Sequence, residues 1–418
     1  MKILFYGLNY APELTGIGKY SGEMCEWLAD NGHEVQAICA PPYYPEWQIR
    51  KPYKNLQYAN EQLGLVKVFR CPLFVPQKPK TITRLLHLAS FSISSFPVLL
   101  KQWLWKPDVV ICIEPTFFCV PGALLFSKIS GSPCHLHIQD FELDAMLGLG
   151  LGKSGFIARM GSVIERWLMR RFNTVSAISF SMVKRADQKM GKAGHAFYFS
   201  NWVDTDFLTP YVDPNIFRKR WNISDSTRVI LYSGNIGKKQ GLDIVLDAAN
   251  ELKNNHPNLL FLIVGTGAAL DELKQFAEKL LLNNVMFQPL QAYADLPSLM
   301  ALADIHLVIQ KRGAADAVLP SKLTSILSVG GNSIITAEPD TELGLLCQKF
   351  PGIAECIEPE NAEALTNTIQ QLLTKLPPRA KGEFNQIARQ FALDNLKKDQ
   401  VLKNFVQELA SRIQQEKG

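Results

Sequence analysis

Short apolar runs alternate with helix-like stretches along this 418-residue sequence, and the alternation starts afresh after a polar stretch that ends near Thr227. The first round contains KILFY (2–6), EVQAICA (34–40), DVVICI (108–113), PCHLHI (133–138) and TVSAIS (174–179). The second round contains RVILYS, LLFLIVG, VMFQ, DIHLVIQ, SIITA and GIAECIE. Strands that are apolar on both faces and separated by helices form a parallel sheet covered by helices. The pattern therefore predicts an α/β protein with two doubly wound, Rossmann-like domains.

The segment NWVDTDFLTP (201–210) lies where the two rounds meet. We predict an N-terminal domain over residues 1–205 and a C-terminal domain over 206–394. The tail, from about 395 to 418, has the spacing of amphipathic helices and no strand after it, so we expect it to pack on the first domain. Doubly wound sheets bind ligands beyond the carboxyl ends of their strands, and two facing sheets would enclose a cleft that holds the chemistry.

The turn SGNIGKKQG (233–241) joins an apolar strand to a helix-like stretch. Its glycines let successive backbone N–H groups converge on one point, and the helix that follows adds the positive end of its dipole. The turn therefore predicts an anion site. It is not a P-loop, because no Ser or Thr follows either lysine.

A second glycine-rich turn, NYAPELTGIGKYSG, follows the first strand, and Gly16 and Gly18 precede a helix predicted to start near Lys19. This turn either brings backbone donors close to a ligand or is a plain tight turn before a helix. A dinucleotide site would need an acidic residue some twenty positions further on, and the sequence there reads AICAP. The missing acid weighs against a nicotinamide or flavin cofactor, and we predict no cofactor.

Polar side chains follow other strands. HLHIQDFELD (135–144) places Asp140 just beyond a strand end, where side chains usually face the ligand. His135 and His137 share one face of the strand, which fits a buried, hydrogen-bonded role at least as well as catalysis. After DIHLVIQ, Asp316 and Lys322 bracket the start of a helix, which favours a functional loop. The pair Asp204 and Asp206 lies in the linker, so we interpret it as structural and predict no metal.

Composition limits the partners. A net charge of +5 is too small for a nucleic-acid-binding protein unless the basic residues cluster, so we predict no nucleic-acid partner. Eight cysteines without zinc-like spacing fit buried thiols in a reducing compartment, and no export signal is visible, which predicts a cytoplasmic protein. The stretch 81–105 mixes basic and aromatic residues and contains Pro97, which we expect to break a helix; it either rests on an anionic membrane or packs on the sheet.

Four segments carry a family resemblance. They are GKYSGEMCEWLADNGHEV, NWVDTDFLTP, the turn SGN followed by KKQGLD, and LPSKLTSILSVGG. Over nearly the whole chain they resemble the GT-B-fold retaining glycosyltransferases of family four, and HIQDFELD with ADAVLPSK is most similar to the fucosyltransferases of colanic acid type exopolysaccharide assembly. The resemblance implies a metal-independent transferase that moves a sugar, fucose from GDP-fucose in first place, onto a polyprenyl-diphosphate-linked saccharide. It also implies a peripheral position on the inner face of the cytoplasmic membrane.

The residue patterns and the resemblance together give the candidate site residues. Those implied for the donor diphosphate are Gly16, Gly18, Gly234, Asn235, Lys238, Lys239, Gly241 and Lys322. Those implied for the donor sugar or ribose are Asp316, Ala317, Val318, Leu319 and Ser325. The catalytic roles fall on Asp140, Lys239 and Asp316.

Three positions depart from the family pattern. Asn235 stands where the family often has Arg, which shifts charge onto the lysines. The family's two glutamates would fall on Ala317 and Ser325, so neither is present. Asp316 is expected to take over the sugar hydroxyl, and Ser325 can still bind a ribose hydroxyl.

Two rival functions remain. A nicotinamide oxidoreductase would share the sheet architecture, but it conflicts with the missing ribose acid and with a second phosphate turn. A catalytically inactive nucleotide-sugar-binding partner is motivated by the two absent glutamates.

Overall fold

The computed structural model describes residues 1–13, 16–77, 81–114, 117–141, 155–191, 193–313, 319–377 and 383–417. The chain divides into two compact units. The first consists of Met1–Asn201 and Leu402–Gly418, and the second of Trp202–Val401.

Each unit alternates strands and helices along the chain. The strands are β1 (Lys2–Tyr6), β2 (Glu34–Cys39), β3 (Ala59–Leu63), β4 (Val66–Arg70), β5 (Val109–Glu114), β6 (Cys134–Ile138), β7 (Thr174–Ala177), β8 (Ala196–Tyr198), β9 (Arg228–Ser233), β10 (Leu259–Val264), β11 (Val285–Gln288), β12 (Ile305–Val308), β13 (Ser333–Thr336) and β14 (Glu355–Ile357). The α-helices within the described ranges are α1 (Gly16–Asp30), α2 (Thr81–Lys101), α3 (Val120–Ser130), α4 (Gly155–Met169), α5 (Phe180–Met190), α6 (Asn215–Arg220), α7 (Asp243–Leu252), α8 (Leu270–Lys279), α9 (Leu296–Leu302), α10 (Ser321–Ser328), α11 (Glu342–Lys349), α12 (Ala362–Lys375), α13 (Gln386–Asn395) and α14 (Lys398–Lys417). The predicted α/β class is confirmed.

The first unit contains a sheet in the order β3-β4-β2-β1-β5-β6-β7-β8. All neighbours pair in parallel except β3 and β4, which form an antiparallel hairpin at one edge. The sequence pattern missed this hairpin and the short strand β8. Strand β3 reads ANEQL and is largely exposed, so it lacks the apolar character that marks the buried strands.

The second unit contains a parallel sheet in the order β11-β10-β9-β12-β13-β14, and all six predicted strands are present. Its central strand β9 is buried on both faces. Val229 and Leu231 pack into one helix layer, whereas Ile230 and Tyr232 pack into the other. This two-sided burial explains why the strand is a continuous apolar run.

Helix α2 runs through Pro97 without a break, so the expectation that the proline ends the helix was wrong. Proline removes the hydrogen bond to the carbonyl four residues earlier, which belongs to Ile93. Ile93 is 74% exposed, so water can satisfy that carbonyl. Among the described residues, Thr83–Leu104 is the one helical segment whose length and composition would suffice to cross a bilayer, and 28% of its apolar window is buried.

The C-terminal helix α14 packs within the first unit. The ring of Phe405 stacks on that of Phe199 with centroids 4.0 Å apart and meets the His135 ring edge-on. Arg412 donates a hydrogen bond to the carbonyl of His195 at 2.8 Å. These contacts tie the end of the chain to β6 and β8.

Candidate active site

Two glycine turns lie in direct backbone contact at the carboxyl end of the second sheet. Gly234 begins the turn after β9, and Gly265 begins the turn after β10. A Cβ added to Gly265 would lie 1.9 Å from the carbonyl oxygen of Gly234, so only glycine fits there. The backbone N–H of Ile236 donates to Thr266 O at 2.8 Å, and that of Ala269 donates to Ile236 O at 3.0 Å. The second turn therefore braces the first.

Lys322, in the first turn of α10, brings its ammonium to this corner. An added Cβ on Gly234, whose φ is +144°, would lie 3.2 Å from Lys322 Nζ. The ammonium donates to the hydroxyl of Tyr232 at 2.9 Å and lies 4.1 Å from the centre of that ring. Tyr232 is fully buried and in turn donates to Asn235 O at 2.6 Å.

Burial lowers the pKa of Lys322 to about 8. No carboxylate of the described residues forms an ion pair with it. A half-buried ammonium whose nearest partner is a neutral phenol gains most from an incoming anion, because an opposite charge favours its ionised form. The turn and the lysine, 88 residues apart in the chain, thus build one cationic corner.

The two lysines of the turn itself are exposed. Lys238 forms an ion pair with Glu272 at 3.2 Å, in which both side chains are about two-thirds exposed or more. Lys239 is exposed, and its carbonyl accepts the backbone N–H of Lys311 at 2.9 Å. Gly241 has φ +61°, and an added Cβ would lie 2.7 Å from Lys311 Cγ. The side chains of Lys322 and Lys311 therefore lie against the glycines at the two ends of the turn, whereas the turn's own lysines are exposed.

The loop between β12 and α10 holds the predicted sugar-binding residues. Asp316, Ala317 and Val318 lie outside the described residues. Leu319 is half-buried beside the start of α10, and Ser325 is partly exposed and donates its hydroxyl to Ser321 O at 3.1 Å. The roles of these residues stay predictions.

In the first unit, helix α1 begins at Gly16. Gly16 and Gly18 therefore lie in its first turn, whereas the sequence predicted that they precede a helix starting near Lys19. Gly18 is buried, and an added Cβ would lie 2.3 Å from Oε2 of Glu13. Glu13 is 2% exposed and accepts two backbone N–H groups at 3.0 Å. Burial raises the pKa of this carboxyl. The described contacts therefore give Gly18 a packing role, and the assignment of both glycines to a diphosphate stays a prediction.

The polar residues after β6 divide into two groups. Asp140 is exposed just beyond the strand end. His135 and His137 are buried, and each has a ring nitrogen 2.8–2.9 Å from a hydroxyl of β7. Burial lowers the pKa of His137 to about 3, so this ring is neutral at physiological pH. The buried, hydrogen-bonded interpretation of the histidines is confirmed.

The acidic pair in the linker is also structural. Asp204 Oδ1 accepts the backbone N–H groups of Asp206 at 3.1 Å and Phe207 at 2.8 Å, which closes a turn. A carboxylate committed to its own backbone in this way is typical of an Asx turn.

Sequence reasoning missed two residues that shape the corner. Tyr232 was part of an apolar run, and its hydroxyl carries the contact to Lys322. Gln240 lies inside the turn, and its Oε1 accepts the backbone N–H of Gly237 at 3.0 Å. A polar atom at the end of an apolar strand was the available signal for Tyr232.

Comparison with known proteins identifies the family. A model of the glycosyl transferase 4-like domain matches residues 15–202, and a model of glycosyl transferases group 1 matches residues 213–390. A protein of Escherichia coli (strain K12), named as a colanic acid biosynthesis glycosyl transferase, WcaI, is 50% identical over 414 residues, which cover 98% of this chain and 100% of that protein. The chain belongs to the glycosyl transferases. The family resemblance found in the sequence is confirmed.

A second relative of this glycosyl transferase is the GDP-mannose-dependent alpha-(1-6)-phosphatidylinositol monomannoside mannosyltransferase of Mycolicibacterium smegmatis. It is 27% identical over 246 residues, which cover 56% of this chain and 62% of that one. Among solved structures, Anabaena Alr3699/HepE in complex with UDP superposes with a TM-score of 0.65 at 16% identity, covering 98% of this chain and 100% of that one. The two Rossmann-like units form the predicted GT-B fold.

Proposed function

We propose that this glycosyl transferase moves a sugar from a nucleotide diphosphate donor to an acceptor hydroxyl with retention of configuration and without a metal. The observation that supports it most is the half-buried ammonium of Lys322 against Gly234. The donor diphosphate lies on the turn from Gly234 to Gly241, where backbone N–H groups and this ammonium meet its charge.

The reaction follows from that placement. Negative charge grows on the leaving diphosphate as the anomeric bond breaks, and Lys322 is already fixed where the charge develops. Fixed donors of this kind each increase the rate of the chemical step by about a hundredfold to a thousandfold. The departing phosphate accepts the proton of the acceptor hydroxyl, so no nucleophile of the protein is needed. Lys238 and Lys239 supply a more exposed second layer of charge, and Asp140 and Asp316 orient the acceptor and the donor sugar.

GDP-fucose is the proposed donor, and the assembly of an exopolysaccharide of the colanic acid type is the proposed setting. The 50% identical relative is named for colanic acid biosynthesis, and the second relative is named as GDP-mannose-dependent. The first name supports the exopolysaccharide setting, and the second supports a guanosine diphosphate sugar.

Calorimetric titration with GDP-fucose, GDP-mannose, UDP-glucose and a dTDP-sugar tests this proposal. We expect GDP-fucose to bind at least tenfold more tightly than the uridine and thymidine donors. Transfer to an acceptor extract, with the anomeric configuration of the product read by NMR, tests the chemistry. An inverted product, or tight GDP binding without transfer or donor hydrolysis, would contradict it; the latter result would favour the inactive binding partner suggested by Ala317 and Ser325.

We further propose that a polyprenyl-diphosphate-linked saccharide is the acceptor and that helices α2 and α3 rest on the inner face of the cytoplasmic membrane. These helices contact each other and expose large apolar side chains. On α2 and the turn after it these are Leu86, Ile93, Leu100, Trp103 and Leu104, and on α3 they are Leu125 and Ile129. Residues 81–106 contain Arg84, Lys101 and Lys106 but no acidic residue. An apolar face on a stretch whose own charged residues are all basic matches an anionic bilayer.

Replacing Ile93 and Leu104 together by Asp is expected to weaken binding to anionic vesicles at least tenfold. Ile93 is 74% exposed and Leu104 82% exposed, so the loss comes from the removed apolar surface, about 1.5–3 kcal/mol for each fully buried side chain, and not from unfolding. Flotation with phosphatidylglycerol-containing liposomes measures it. Leu281→Asp, at an equally exposed leucine of the second unit (82%), is the matched control. Equal flotation of the double variant and the control would exclude this face.

A further inference from the structure

A cavity that is separate from the proposed donor corner lies beside β13 and β14 at the edge of the second sheet. Its volume is about 570 Å³, which is within the usual range of small-molecule sites. Its charged side chains are Arg312, Glu338, Asp340 and Glu358. Arg312 forms ion pairs with Glu338 at 3.3 Å and with Glu358 at 2.5 Å. Three carboxylates against one guanidinium leave the cavity with a net negative charge.

Two cysteine thiols line the same cavity. Cys347 lies on α11, and Cys356 lies on the edge strand β14. Each thiol shifts the pKa of the other. Cys356 is exposed and Cys347 is half-buried, and Cys356 Sγ lies 3.9 Å from the carbonyl oxygen of Ala337. One thiol can therefore be reached from solvent, and the other is more sheltered in the same cavity.

The other six cysteines are buried: Cys25, Cys39, Cys71, Cys112, Cys119 and Cys134. Burial raises the pKa of Cys25 and of Cys134 to well above the ordinary thiol value, so both stay protonated. At Cys356 the hydrogen bond from Cys347 outweighs burial and lowers the pKa to about 7. The same hydrogen bond raises the pKa of Cys347. Because the thiolate is the nucleophile in thiol chemistry, Cys356 is the attacking sulfur of the pair.

We propose that Cys347 and Cys356 form a disulfide-exchange site that accepts small cationic disulfides of the aminothiol class. The exposed thiol, the second thiol in the same cavity and the acidic lining around both carry this assignment. The proposal is tested by measuring thiol chemistry, so the result does not depend on whether the donor assignment is correct.

The exchange balances in two steps. The Cys356 thiolate attacks one sulfur of the small disulfide, which breaks the S–S bond and releases one small thiolate that takes up a proton. Cys356 then carries a mixed disulfide and no longer accepts the Cys347 hydrogen bond, which removes the largest cause of the raised pKa of Cys347. Cys347 loses its proton to solvent and attacks Cys356 Sγ, which forms the Cys347–Cys356 disulfide and releases the second small thiol. Two protein thiols are oxidised, and one small disulfide is reduced.

The charge of the cavity determines which disulfides react fastest. Cystamine carries two ammonium groups and is attracted by the net negative lining, whereas dithiodiglycolate carries two carboxylates and is repelled. Charged clefts change association rates by about tenfold or more at low ionic strength, and salt screens the effect. Cystamine is therefore expected to react at least about tenfold faster than dithiodiglycolate at low salt.

The test uses the full chain at pH 7 and low salt, treated with cystamine and then with N-ethylmaleimide to block remaining thiols. Peptide mapping without reduction is expected to find the Cys347–Cys356 disulfide, with the other six cysteines alkylated only after denaturation. Cys347→Ser is expected to stop at an aminoethylthio adduct on Cys356. Cys356→Ser is expected to react at least tenfold more slowly. Asp340→Asn is expected to reduce the preference for cystamine over dithiodiglycolate.

Several results would overturn the proposal. Modification of the six buried cysteines at a rate equal to that of Cys356 would show no privileged site. A mixed disulfide that persists on Cys356 in the unsubstituted protein would exclude Cys347 as the resolving thiol. Equal rates for the cationic and anionic disulfides at low salt would remove the cationic substrate class. The first two are read on the unsubstituted chain, so they hold even if a cysteine variant fails to fold.

Discussion

Lys322→Ala is expected to lower kcat/KM for transfer by about a hundredfold to a thousandfold, the range for removal of one fixed donor from a developing negative charge. The ammonium lies against Gly234 and is held by the hydroxyl of the buried Tyr232, so it is positioned before the donor arrives. Initial-rate measurements with the donor that binds in the titration give kcat and KM separately. We expect the loss in both kcat and donor affinity, because the diphosphate is charged in the ground state and more so as it leaves.

Two control variants separate this role from general effects of charge. Lys322→Arg keeps a cation at the corner and is expected to retain more activity than Lys322→Ala. Lys274→Ala removes an exposed lysine of α8 in the same unit and is expected to leave the rate unchanged. Equal activity of Lys322→Ala and Lys274→Ala would exclude the proposed corner.

The pH profile of the same variants shows whether the protonated form of Lys322 is the active one. Burial lowers the pKa of Lys322 to about 8, so in the free enzyme the ammonium is lost as the pH rises through 8. The charged form is the active one, and kcat/KM is therefore expected to fall about tenfold per pH unit above 8. The Arg variant stays charged over this range, so its profile is expected to lack the decline. A bound diphosphate favours the ammonium and moves the decline in kcat to higher pH.

The sequence pattern was sufficient for the central strands because they are buried on both faces. In the second unit β9, β10, β12 and β13 are continuous apolar runs that fit between two helix layers, and the more exposed edge strands β11 and β14 kept enough apolar residues to be predicted. The hairpin of β3 and β4 was missed for the opposite reason. It lies at an edge, and β3 is polar and exposed, so periodicity carries no signal there.

In the candidate site, too, some features could be predicted from the local sequence and others could not. The glycines at 234 and 241 could be predicted as a ligand turn, because their positions between strand and helix are local features of the sequence. The contact between Gly234 and Lys322 could not, since it joins two elements that are brought together only when β12 pairs with β9. The neighbour of the buried Gly18 is Glu13 of the same turn, and the residue types alone did not indicate which side chain approaches the glycine.

Gly265→Ala is expected to weaken donor binding about a hundredfold and to lower the stability of the second unit by about 1–3 kcal/mol, the usual cost of overpacking. The new Cβ would lie 1.9 Å from the Gly234 carbonyl oxygen, and because that neighbour is backbone the turn itself must move. Displacement of a positioned group by about 1 Å can cost a hundredfold, and here it changes the position of the turn relative to Lys322. Titration with the nucleotide measures the affinity, and urea unfolding measures the stability.

Gly161→Ala makes the same chemical change where the structure leaves room. Gly161 lies within α4, and no atom of the described residues approaches an added Cβ within 4 Å. Alanine there is expected to stabilise the helix by about 0.5–1 kcal/mol, because glycine loses more backbone freedom on folding. The two substitutions are therefore expected to change the stability in opposite directions, because the new Cβ meets a carbonyl oxygen in one case and open space in the other. If Gly265→Ala kept both its stability and its donor affinity, the contact between the two glycine turns would not determine the position of the donor corner.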